Sequence, residues 1–350
     1  MNALSGYIAA GLLLLCGTAT AQAQDADTQP ADAAAGFTHL GVSSCAQSTC
    51  HGATTPWVTS PIAQNEYFTW RDRDPHSGAY RVLTGDKAHG IAAQLGLKDA
   101  AQAPLCLGCH ADNVPVAQRG HHFKLEDGIT CETCHGGAQK WIGVHNLPDT
   151  DLGTLGDKGF YPTTQVQARA QLCSGCHELG RHGADHRLVS AGHPQFPEDL
   201  AAYLEKWPKH YTVNASYIAR KHPAAPELLD GRITLLQASD WAEALAHSTA
   251  DPHGLMPEFS FFQCDNCHRS THEADAHSTG QPRLNDAAVR RLIDSPVIVD
   301  RSRRQELQGR LNALNAAVLH GNRQEYGSAA AALYQSLKAA VATAESAKRD

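Results

Sequence analysis

Ten of the eleven cysteines fall into five pairs, and each pair is followed at once by a histidine. Four pairs have the spacing Cys-x-x-Cys-His. They are Cys106, Cys109 and His110; Cys131, Cys134 and His135; Cys173, Cys176 and His177; and Cys264, Cys267 and His268. The pair nearest the N-terminus is wider, because "CAQSTCH" puts Ala46 to Thr49 between Cys45 and Cys50, ahead of His51. Two thiols this close can add to the two vinyl groups of one porphyrin, and the next residue's imidazole then reaches the iron. That is the attachment pattern of c-type haem. Zinc and disulfides are the competing readings. Zinc also takes Cys-x-x-Cys but asks for no His directly after it, and disulfides give no reason for the His. With 21 His in 350 residues, five out of five is not coincidence. The wide motif lengthens only the loop, so it reads as the first of five haem sites. A local disulfide between Cys45 and Cys50 is its alternative.

The opposite face of each iron needs a second ligand. Beyond Met1 the chain has one Met, Met256, so a thioether can serve one iron at most. Histidine is abundant, and bis-His ligation is the economical reading for most sites. Met/His ligation raises reduction potentials, so its scarcity predicts low ones. The distal candidates are His76, His145, His186, His193, His121 and His122. His39, His272 and His277 also stand near motifs. The alternative for any one of them is a solvated or core histidine.

Such sites need a chain that wraps them. Only 6% of residues are aromatic, which is little for a chain of this length. Flat apolar porphyrins would supply the missing core volume. The expected fold is mainly α, with little regular β structure, a polypeptide wrapped round stacked haems and a C-terminal helical hairpin.

Residues 1–23 carry no charged side chain, and the apolar run "YIAAGLLLLC" is followed by "AQA". This predicts a cleaved secretory signal peptide, too short to span a bilayer, and a periplasmic protein. A lipid anchor at Cys16 is the alternative, disfavoured by the bulky Leu15. Residues 24–36 read as a disordered acidic linker, 37–280 as the pentahaem body and 281–350 as a helical segment. Glu227 to Ser248 is also helical in pattern.

Leu307, Leu311, Leu314 and Val318 share one helical face, and Leu333, Leu337, Ala340 and Val341 share another. Gly321 and Gly327 punctuate the two runs. These faces are expected to pack on the haem body, with homodimerisation the sharper alternative. Residues 301–350 hold eight Lys or Arg against four Asp or Glu, so the rest of the chain carries −11 of the overall −7. An acidic haem body suits a basic redox partner, or is simply a solvated surface. No basic stripe interleaved with aromatics points to nucleic acid.

Gly41 to roughly Arg269 resembles the multihaem cytochromes of the c-554/c-prime type. The resemblance rests on "TWRDRDPHSGAY", "GITCETCHGGAQKWIGVH", "DHRLVSAGHPQF" and "MPEFSFFQCDNCH". It implies a mostly helical fold with closely stacked haem pairs, as in pentahaem nitrite reductases and hydroxylamine oxidoreductases. Carried over by motif, His145 would be distal to the iron of His51 and His76 to that of His135. The iron of His110 would lack a strong sixth ligand. His186 and His193 would serve the irons of His177 and His268. The wide first motif and the fifth site depart from the four-haem form. The nitrite reductases replace one motif His by Lys, whereas all five motifs here end in His.

Two functions follow. The leading one is electron transfer between redox partner proteins, such as a quinol-linked donor and a terminal reductase or oxidase. The alternative is an oxidoreductase acting on a small nitrogen or sulfur compound at an open iron of His110, with Arg119, His121 and His122 supplying charge and protons.

Overall fold

The structure, a computed structural model, describes residues 36–57, 62–147, 149–178, 185–196, 200–211, 215, 231–250, 258–263, 283–298 and 300–346. Among these residues the regular structure is helical. Extended pairing is limited to isolated bridges, His39 with Arg119 and Phe262 with Leu284. The helices are α1 (Glu66–Arg73), α2 (Asp86–Gln94), α3 (Pro104–His110), α4 (Cys131–His135), α5 (Leu152–Gly156), α6 (Val166–His177), α7 (His186–Ser190) and α8 (Leu200–Lys206). They are followed by α9 (Arg232–Ala250), α10 (Ala287–Asp294), α11 (Arg301–His320) and α12 (Arg323–Ser346). None is long and apolar enough to cross a membrane.

Three short motifs end helices. α3, α4 and α6 stop on His110, His135 and His177. A last helical turn puts residues i, i+3 and i+4 on one face, which is where two thiols and an imidazole must converge. The chain then leaves the helix at once. Ala111 and Glu178 are extended, and Gly136 adopts φ 78°. A Cβ at Gly136 would collide with the carbonyl of Gly159, so this crossing needs glycine. Thr130 starts α4 with a reciprocal capping box to Thr133.

The wide first motif uses a turn in place of a helix. His51 N bonds back to the Cys45 carbonyl at 3.1 Å, and Cys50 N to that of Gln47 at 2.9 Å. The four-residue loop therefore bulges outward, with Gln47 to Cys50 exposed, while the chain closes on itself at Cys45 and His51.

The apolar interior is uneven. Around the motifs it consists of small clusters, such as Leu83, Ala92, Ala100 and Leu107, or Ala138, Trp141 and Leu155. The large core lies elsewhere. Leu235, Leu245, Phe261, Leu284, Leu292, Leu307, Leu311, Leu314, Leu333 and Leu337 form one cluster joining α9 to α12. Each fully buried Leu contributes about 1.5–3 kcal/mol relative to exposure.

The hairpin is α11 and α12, joined through Gly321 in the left-handed conformation (φ 66°). One expectation changes here. Gly327 does not punctuate, because α12 already begins at Arg323; Gly327 lies inside the helix against Thr249 of α9. The hairpin's apolar faces meet α9 and α10. It is α9 that turns toward the motifs, packing on α6 and accepting the Ser174 hydroxyl on Asp240 at 2.9 Å.

Candidate functional site

Four motif histidines each face a second histidine. The ring centres of His51 and His145 are 6.2 Å apart, those of His76 and His177 5.9 Å, those of His110 and His193 6.3 Å, and those of His135 and His210 6.2 Å. A shared iron between two imidazoles needs metal–nitrogen bonds of about 2 Å and about 1 Å more from each nitrogen to its ring centre, so about 6 Å in all. The four spacings fit one metal between each pair of rings.

The other ring nitrogens support the same chemistry. Nδ1 of His51 bonds Glu66 at 2.9 Å, and Nδ1 of His76 bonds Asp74 at 2.9 Å. Nδ1 of His110, His145 and His193 donates to the carbonyls of Ala79, Ile142 and Pro194 at 3.0, 2.7 and 2.8 Å. An oxygen on Nδ1 holds the proton there, orients the ring and leaves Nε2 with a lone pair for a metal. Burial, helped by His210 and other nearby cationic groups, pushes His135 down to about 3. Burial and His76 bring His177 down to about 4. Both imidazoles are neutral at physiological pH, the form that binds iron.

The thiols also fit attachment. Cys45, Cys50, Cys106, Cys109, Cys131, Cys134, Cys173 and Cys176 are unbridged, so Cys45 and Cys50 do not form a disulfide here. Burial pushes Cys134 up to about 12 and Cys173 up to about 11, which keeps them as thiols. Among the described residues no group of three or more His, Cys, Asp or Glu could hold a bare metal ion.

Contacts between motifs set their order in space. Cys45 lies beside Cys131 and Cys109 beside Cys176, and Cys176 Sγ reaches the Gly108 carbonyl at 3.9 Å. Tyr161 joins the third motif to the fourth, its N–H donating to the His135 carbonyl at 2.9 Å and its hydroxyl to the Ala168 carbonyl of α6 at 2.8 Å. The motifs therefore run first, third, fourth, second.

Residues 44–136 match the family model described as cytochrome c554 and c-prime. This segment is a cytochrome c554 and c-prime domain. It spans the first three motifs and α1 to α4, and it implies c-type haem on their Cys pairs. No curated protein and no solved structure matches the chain.

The ring partners differ from several sequence expectations. His145 faces His51. His76, expected across from His135, faces His177, because Asp74 caps the turn that carries it and fixes its ring by Nδ1. His135 is faced by His210, which sequence reasoning missed. His210 follows "WPK" with no motif nearby, and only the Trp207 and Tyr211 rings around it hint at a packed setting. His193, expected at His177 or His268, stands against His110, so the iron expected to be open has a facing imidazole.

His186 lies beside Phe259 at 5.6 Å, on the chain leading toward the fifth motif. Cys264, Cys267 and His268 lie outside the described residues, as do His272, His277 and the expected signal peptide at 1–23. His121 and His122 are exposed and pack on each other at 4.8 Å. Arg119 bonds the Val114 carbonyl at 2.9 Å and covers Phe123. His39 is buried, with Nδ1 on Asp112 at 2.9 Å.

Proposed function

We propose that this chain is a periplasmic pentahaem c-type cytochrome that carries electrons between redox partners. The facing imidazole pairs carry this reading, above all His110 with His193. A substrate-transforming iron needs an open or weakly held position, and the second site has an imidazole where that opening would be. Bound haem supplies a one-electron iron couple. The thiols of Cys45, Cys50, Cys106, Cys109, Cys131, Cys134, Cys173, Cys176, Cys264 and Cys267 would tether it. His51, His110, His135, His177 and His268 would be the proximal ligands, with His145, His193, His210 and His76 opposite the first four.

The chain's own contribution is rigidity. Carboxylates of Glu66 and Asp74 and carbonyls of Ala79, Ile142 and Pro194 hold five rings by Nδ1. Rings held this way need not move or exchange when the charge at the metal changes. The first-third-fourth-second order supports a relay with no branch among these sites. Redox proteins with a basic face are the fitting partners, given the acidic balance of residues 1–300.

Paramagnetic resonance of the oxidised protein tests this, together with the mass of the intact chain. The expected result is low-spin iron throughout, no reaction with nitric oxide and a mass gain of five haems. His193→Ala should release one high-spin iron per chain. High-spin iron already present in the unmodified protein would favour the oxidoreductase reading.

A further inference from the structure

The middle residues of a Cys-x-x-Cys-His motif have no chemical duty in attachment, yet Glu132 of "CETCH" is only 2% exposed. Its Oε1 accepts Leu40 N and Ala138 N, and its Oε2 accepts Gly41 N, all at 2.7 Å. All three partners are donors, as a carboxylate requires, and charge-assisted bonds of this length are strong ones. Leu40 and Gly41 lead directly into the 3₁₀ turn Val42–Ser44 and Cys45. One side chain in the third motif thus grips the chain that delivers the first.

The surroundings brace this grip. Gly41 sits at φ 95°, and a Cβ there would collide with the His122 carbonyl, so the segment is pressed between two walls. Beside it, Asp112 accepts both His39 Nδ1 and Thr130 Oγ1 at 2.9 Å, tying His39 to the residue that caps α4. The Cys45 and Cys131 thiols, one in each gripped motif, lie close together.

We infer that Glu132 is a positioning residue for electron transfer between the first and third sites, fixing their separation and lowering both potentials by its buried negative charge. The inference rests on the electron-transfer reading above. Transfer between neighbouring sites falls steeply with distance, so a lock across one pair governs that step. A buried anion favours the more positively charged oxidised iron on either side.

The test uses the intact haem-loaded protein. Glu132→Gln keeps the shape but removes the charge and turns an N–H donor toward one backbone N–H. Its first and third sites should show at least a tenfold higher reduced-to-oxidised ratio at fixed potential, about 59 mV for a one-electron couple. The other sites should move less. Glu132→Asp keeps the charge but shortens the reach. It should weaken the magnetic coupling between the first and third irons with a smaller shift in potential.

Hydrogen exchange on the unmodified protein needs no variant to mature. Leu40, Gly41 and Ala138 amides should be among the slowest to exchange. Fast exchange at these amides overturns the inference, as does Glu132→Gln with a full haem complement, unchanged potentials and unchanged coupling. Those results in a protein whose irons are all low-spin would leave the electron-transfer reading standing. High-spin iron in the unmodified protein would strike that reading instead.

Discussion

At the scale of single residues, the informative atoms are the ring nitrogens that face away from the proposed irons. Asp74 shows the logic. It is buried, it accepts His76 Nδ1 at 2.9 Å and Trp207 Nε1 at 2.8 Å, and it caps the turn at Pro75. Burial alone would raise its pKa, but the side-chain and backbone hydrogen bonds of His76, with help from Trp207, outweigh it and hold the carboxyl below its ordinary value. A depressed folded pKa stabilises the fold above the unfolded value, near pH 4, and that contribution is lost as pH falls through the folded one. Asp74→Asn should therefore flatten the acid limb of a stability-against-pH curve and lower stability at neutral pH. An unchanged acid limb in thermal melts would show that Asp74 is not the group responsible.

At the scale of elements, two kinds of structure divide the work. Short helices such as α3 and α4 do little packing of their own and serve to aim two thiols and an imidazole from their last turn. The long helices α9, α11 and α12 form an ordinary apolar core and bear on the motifs where α9 and Val341 of α12 pack against α6. Gly327 tests that picture. It lies inside α12, and an added Cβ would meet Thr249 Oγ1 at 3.4 Å, an ordinary contact. Gly327→Ala should raise helix propensity by about 1 kcal/mol and so raise Tm by a few degrees. A lowered Tm would mean that the close approach to α9 needs glycine. The spectrum should not change in either case.

At the scale of the whole molecule, the four described motifs form a row that differs from chain order. The first and second, neighbours in sequence, lie at its two ends. Replacing Cys45 and Cys50 together by Ala should remove one haem by mass. It should also abolish the magnetic coupling of the third site to its outer neighbour, leaving the second and fourth coupled to each other. Loss of the second–fourth coupling would refute the order. The row also leaves the first motif's loop, Gln47 to Cys50, exposed at one end.

Much of this was readable in the chain alone, for a physical reason. Thioether attachment is local chemistry, so Cys-x-x-Cys-His spacing alone marks the candidate tethers and proximal ligands. Helical periodicity is local too, and Leu307, Leu311, Leu314, Leu333 and Leu337 marked the hairpin before any packing was known. An imidazole that faces a motif histidine obeys no such spacing. His193 reaches His110, and His210 reaches His135, from separate segments brought together only by the fold. The order of the motifs and the partner of the hairpin are likewise long-range matters. Those were decided by tertiary structure, through carboxylates such as Asp74 and Glu132 that join parts of the chain far apart in sequence.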